Sequence, residues 1–144
     1  MSNINRKEAR KALAAHLATL VTKAEEVFDH QASDFGGASP VVYVTSSKSS
    51  RRLTSLREKE GTFGFNVHTF VLYPGKVDPD YTESDAEDML DDIECQIADA
   101  CDSSLDDPII QGISCSEPSN ADDTAKIAGE TYLHEIIPVT ITCF

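Results

Sequence analysis

Four histidines, four cysteines and a run of carboxylates after residue 77 are the side chains through which this sequence could do chemistry. Asp78-Pro79-Asp80, with Thr82 and Glu83, has the oxygen density of a Ca²⁺ or Mg²⁺ site. An EF-hand loop needs Gly at its sixth position and Glu at its twelfth, and here those positions hold Glu83 and Met89. The stretch reads as a solvated acidic loop that favours the start of the next helix. Divalent cations are expected to screen this acidic surface weakly, without a cage. His16, His30, His68 and His134 are scattered with no HxxxH spacing, which gives them no metal or catalytic assignment. His68 reads as an exposed strand residue.

Cys95, Cys101, Cys115 and Cys143 form no CxxC pair, so a zinc ribbon or a thioredoxin-type site has no support. Cys95 and Cys101 fall on different sides of a helix, a poor geometry for a disulfide. Cys101, Cys115 and Cys143 read as small apolar groups in or near the core. Ser46 to Ser50, followed by Arg51 and Arg52, lacks the glycines of a phosphate loop, and GxxxxGK[ST] is absent. No cofactor and no metal is expected. The basic residues Lys48, Arg51, Arg52 and Arg57 instead read as a protein-contact arm at a hairpin tip.

The charge pattern bears on partners. The 144 residues carry a net charge of −13. Residues 1–76 hold 11 basic and 7 acidic side chains, and residues 77–125 hold 16 acidic and no basic ones. A mildly basic first half thus precedes an intensely acidic middle. That excludes a nucleic-acid binder held by phosphate contacts, which needs a basic face. It fits self-association in which a basic surface meets an acidic one. Packed head to tail, such copies close into a ring if the rotation permits. No apolar run approaches the roughly 20 residues of a membrane span. The first residues do not read as a signal peptide, and the chain is expected to stay in the cytosol.

These residues must be positioned by alternating elements of one domain, residues 1–144. Leu13, Leu17, Leu20, Ala24 and Val27 share a helical face and predict a helix from Asn5 to Phe28, capped by Asn5 or Asn3. Residues 30–40 read as a loop. A β-prone run, Pro40 to Thr45, precedes an extended polar tip over 46–60. Thr62 to Tyr73 alternates as a long strand, with Gly64 marking a bulge or a close backbone approach. Ser84 with Glu87, or more weakly Thr82 with Asp85, opens a second helix. Its apolar stripe runs from Ala86 to Cys101, and Asp85, Asp88, Asp91, Asp92 and Asp99 form an acidic outer face. Ile109 to Cys115 is a short strand, 116–130 a loop, and Thr131 to Phe144 the last strand. Pro138 places that strand at an edge or a bulge. The order α-β-β-α-β-β implies an α+β sandwich, with both helices on one face of a mostly antiparallel sheet.

In this organisation the chain resembles the tail terminator proteins of long-tailed bacteriophages. The resemblance rests on the opening helix KEARKALAAHLATLVTKAEEVFD, the Pro-led strand SPVVYVTSS, the tip KSSRRLTSL and the strand TFGFNVHTFVLY. The acidic phrase TESDAEDMLDDIE and the closing strand ETYLHEIIPVTITCF complete it. It implies a subunit, not an enzyme, that forms a hexameric ring on the last ring of the tail tube, stops tube polymerisation and meets the head's connector proteins. The partners implied are the tail tube protein, the connector or head-closure proteins and further copies of the chain, assembled in the host cytoplasm and kept in the virion. DNA passes through such a ring without specific binding. Asp85, Asp88, Asp91, Asp92 and Asp99 are candidate lumen residues that would repel the phosphate backbone, and an outward, solvated placement is the rival. Lys48, Arg51, Arg52 and Arg57 are candidates for the contact with the tube or a neighbouring subunit. Two alternatives remain, another neck protein between portal and tail, or a small soluble enzyme.

Overall fold

The computed structural model describes residues 5–53, 59–74, 81–102, 110–116 and 124–143. Among these described residues, two helices and a mixed, curled sheet make an α+β protein.

Helix α1 spans Arg6–Leu20. Asn5 caps it: its side-chain oxygen accepts the Glu8 backbone N–H at 2.8 Å. Ala9, Leu13, Ala14 and Leu17 form its buried stripe. The helix stops well short of the expected Phe28, because β-branched Val21 and Thr22 favour helix weakly and the sheet offers Glu26 to Phe28 a ladder partner. Glu26–Phe28 forms strand β1, parallel to the next strand, and the Glu25 N–H donates to the Pro40 carbonyl at 2.8 Å. Ala24 and Val27 still reach the core, from a turn and a strand.

Strands β2, Val41–Leu53, and β3, Lys59–Leu72, form one long antiparallel hairpin. The expected polar tip over 46–60 is therefore mostly ladder: Lys48 pairs with Gly64, Arg51 with Gly61 and Arg52 with Glu60. Arg57 lies outside the described residues. The register shifts between Ser46 and Lys48, opposite Gly64 and Phe65, so a bulge does form beside Gly64, on the partner strand.

Helix α2 spans Glu83–Asp102. Its cap is the Thr82–Asp85 pair and not Ser84–Glu87: the Thr82 N–H donates to the Asp85 carboxylate at 2.9 Å, and the Asp85 N–H donates to the Thr82 hydroxyl at 3.2 Å. The acidic loop at Asp78 to Asp80 lies outside the described residues. Strand β4 is Ile110–Cys115, β5 is Thr124–Ile127 and β6 is Glu130–Cys143. Strand β5 falls within the segment expected to be a loop. It turns into β6 through Ala128 and Gly129, both at positive φ (51° and 87°), as a two-residue hairpin turn requires. With β1 and β5, the observed order becomes α-β-β-β-α-β-β-β.

The sheet order is β1-β2-β3-β6-β4, with β5 also paired to β6. Strands β5 and β4 share one edge of β6, at its two ends. Pro138 stands where β4 stops: the Ser116 N–H donates to its carbonyl at 2.8 Å, so the N–H that proline lacks faces no full strand partner.

The sheet residues divide by alternation. Val42, Val44, Phe63, Phe65, Val67, Ile137, Val139 and Ile141 share a core with Leu13, Leu17, Ile93 and Ile97 of the helices. Val41, Tyr43, Phe70 and Tyr132 form a second cluster under Phe35 and Ala38 of the loop that precedes β2. That loop is bent by the Asp34 side chain, which accepts the Gly36 N–H at 2.8 Å, and by positive φ at Gly36 and Gly37. No helix among the described residues is long and apolar enough to cross a membrane.

Candidate functional site

Asp85, Asp88, Asp91, Asp92 and Asp99 all lie on α2, most of them on its exposed side. They do not act alike. Asp85 serves the helix cap. Asp92 meets the Lys23 ammonium at 3.2 Å. One turn further along, Gln96 accepts the Lys23 N–H at 3.0 Å and donates to the Thr22 hydroxyl at 3.0 Å. Near the end of the helix, His16 Nε2 of α1 donates to the Ala100 carbonyl at 2.8 Å. The acidic helix is thus tied along one side to α1 and the turn after it.

Arg6, Lys7 and Lys11 are exposed at the start of α1. Lys11 approaches Asp29 at 3.7 Å, and the same carboxylate meets His30 Nδ1 at 2.7 Å. Arg10 turns inward, and its guanidinium donates to the Ser46 hydroxyl at 3.3 Å. The backbone of Lys48, Arg51 and Arg52 lies in the β2–β3 ladder.

A second arrangement was hidden in the sequence. His68 on β3 and His134 on β6 are 66 residues apart, yet His68 Nδ1 and His134 Nε2 lie 3.0 Å from each other. The ring planes differ by 7° with centroids 5.2 Å apart, so the imidazoles are nearly coplanar and the bond runs nearly in line. At the other end, His68 Nε2 meets the Thr45 hydroxyl at 3.1 Å. Each neutral imidazole has one donor and one acceptor nitrogen, so the chain Thr45–His68–His134 can run in either of two directions. Phe70 stacks on His134 at 4.4 Å, and Tyr43 lies 4.6 Å from His68. Burial, and then the neighbouring His134, hold the His68 imidazole down to about 4. The expectation of an exposed strand histidine is overturned: His68 is half-buried and built into a ring layer. Its only sequence signal was its place between Val67 and Thr69 in an alternating strand.

The opposite face of the same two strands holds a different pair. Thr69 and Glu135 are directly paired across β3 and β6 and are both buried, at 1% and 4% exposure. The Thr69 hydroxyl and Glu135 Oε1 have no hydrogen-bond partner. Burial, and then Glu94 and Asp91 of α2, push the Glu135 carboxyl up to about 7.

The cysteines also depart from expectation. Cys101 is buried, but Cys115 and Cys95 are exposed. Strand β4 is an edge strand, which leaves Cys115 open to solvent at its end. The Cys143 side chain, expected near the core, lies outside the described residues. Among the described residues, no three His, Cys, Asp or Glu side chains converge on a point that could hold a metal ion.

Comparison with models of known protein families finds no match, and comparison with curated proteins finds no significantly similar sequence.

Proposed function

We propose that this chain is a structural ring subunit that caps the head-proximal end of a long-tailed phage's tail tube. The observation that carries this reading is the segregation of charge on the described surface. Five aspartates lie along α2, while Arg6, Lys7 and Lys11 are exposed at the start of α1. Copies set head to tail bring those opposite potentials together, which steers assembly and fixes its register. Closure of such a contact gives a ring, a hexamer on the tail-terminator reading. The subunit proposed is a two-layer sandwich with both helices on one side of the sheet.

In that ring the α2 carboxylates face the lumen and repel the phosphate backbone of passing DNA. The β2–β3 hairpin, with Lys48, Arg51, Arg52 and Arg57, reaches the tube or a neighbouring subunit. The action is geometric and involves no reaction: one face matches the tube, and the other accepts no further tube ring.

Negative-stain imaging of the purified protein, alone and with tail tubes, tests the reading. Six-fold rings or blunt-capped tubes are the expected result, and Arg51→Glu with Arg52→Glu is expected to weaken either. A monomer that ignores tubes defeats the proposal. Localisation to the portal side of the neck would favour a head-closure or adaptor role.

A further inference from the structure

Cys101 lies in the last turn of α2, and Cys115 ends edge strand β4. The strand register brings them together. Cys115 is paired with Val139, and Ile113 with Ile141. Val139 and Ile141 belong to the same core cluster as Cys101, and Ile113 packs against it. Cys115 therefore lies on the helix-facing side of its strand, where α2 packs on β4. The two thiols lie close enough for Cys115 to shift the ionisation of Cys101. One is buried and the other is open to solvent.

We propose that Cys101 and Cys115 are an oxidisable pair whose disulfide pins the end of α2 to the sheet edge. The pairing stands apart from the ring reading, and either can fail without the other.

The chemistry is thiol–disulfide exchange with a small-molecule disulfide as oxidant. The exposed Cys115, as thiolate, attacks one sulfur of that disulfide, forming a mixed disulfide and releasing one small thiolate. Cys101 then gives up its proton to solvent and attacks Cys115 Sγ, expelling the second small thiol. Two protein thiols lose two electrons and two protons, and one small disulfide becomes two thiols. The order follows from access. Cys115 is reachable, whereas burial pushes the Cys101 thiol up to about 12, with the neighbouring Cys115 adding to the shift. The Cys101 step is the slow one and quickens as pH rises. The closed bond holds the two sulfurs about 2.05 Å apart.

The test equilibrates the full-length protein with oxidised and reduced glutathione, then quenches with acid and alkylates the free thiols. Peptide mapping reads the linkage, and thermal unfolding reads its effect. The expected result is one intramolecular Cys101–Cys115 link, a mass loss of about 2 Da from the two hydrogens removed, and a melting temperature raised by about 10 °C. A Cys95→Ser, Cys143→Ser variant should form the same link. Cys115→Ser, at an exposed position, should abolish both the link and the thermal shift. Persistent glutathione on Cys115, a different pairing, an intermolecular link, or two thiols that stay reduced would each overturn the proposal.

Discussion

Strands β3 and β6 present two polar pairs on opposite faces of the sheet, one residue apart. His68 with His134 lies on the face under Phe35, and Thr69 with Glu135 lies on the face under α2. Both pairs are removed from water to some degree, but they solve the same problem differently. The imidazoles satisfy one another in line, and Thr45 satisfies the outer nitrogen. The carboxyl keeps a buried oxygen without a partner and faces Glu94 and Asp91. A neutral, mutually bonded pair fixes the register of two strands. An unpartnered acid makes the seat of a helix depend on protons.

The two pairs also titrate with opposite sign. The Glu135 carboxyl is raised to about 7, so the folded state keeps a proton that the unfolded chain loses first. Its contribution to stability falls as pH rises from about 4.5 to about 7. His68 is held down to about 4, so the unfolded chain takes a proton that the folded state refuses. Its contribution falls as pH drops from about 6.5 to about 4. Between about pH 4.5 and 6.5 the two slopes cancel, and the wild-type protein should show nearly pH-independent stability there.

The largest expected effect removes one side of this balance. Glu135→Gln keeps the shape and stays neutral. At pH 8 it should be more stable than wild type by about 3 kcal/mol, with little difference below pH 4.5. Within the former plateau its stability should now fall with acid, as His68 alone dictates. Urea unfolding at several pH values measures this, and parallel curves for the two proteins would break the comparison.

A smaller effect tests the other face. His134→Ala leaves His68 Nδ1 without its ring partner and uncovers Phe70, which should lower unfolding free energy by about 2 kcal/mol at pH 7.5. An imidazole ¹⁵N NMR spectrum should also show His68 titrating closer to its ordinary value. A loss below about 0.5 kcal/mol would mean that the in-line bond does not hold the strands.

The smallest effect is a control away from both faces. Thr82→Ala removes half of the reciprocal cap of α2 and should cost about 1 kcal/mol at any pH from 5 to 8. If that loss varied with pH as the Glu135 effect does, the carboxyl cluster would extend to the helix start.

Local chemistry was readable where it acts within a few residues. Asn5 capping α1, the apolar stripe of α2 and the alternation from Phe63 to Val71 all depend on near neighbours. Where two local signals competed, the choice was harder: Ser84–Glu87 has the better capping pattern, yet Thr82–Asp85 forms the box. Tertiary partners decided the rest. Val27 and Phe28 continue a helical pattern, but a parallel strand partner at Val42 and Tyr43 draws them into the sheet. Residues 46–53 read as part of an extended polar tip, but their ladder is supplied by residues on β3. His68 and His134 carry no mutual spacing, and only the β3–β6 register brings them together. The acidic face of α2 was legible from its aspartates, whereas the buried acid beneath it was not, because Glu135 sits in a strand whose other inward residues are apolar.

The bond from His16 to the Ala100 carbonyl acts at a helix end that has no basic residue of its own. The negative end of an acidic helix is therefore answered by an imidazole borrowed from α1. With Lys23 and Gln96 holding its flank, α2 is clamped at two stations along its length. From α1 the polar contacts run on through Arg10 to Ser46 on the long hairpin, so the acidic helix, the first helix and the hairpin are joined in series.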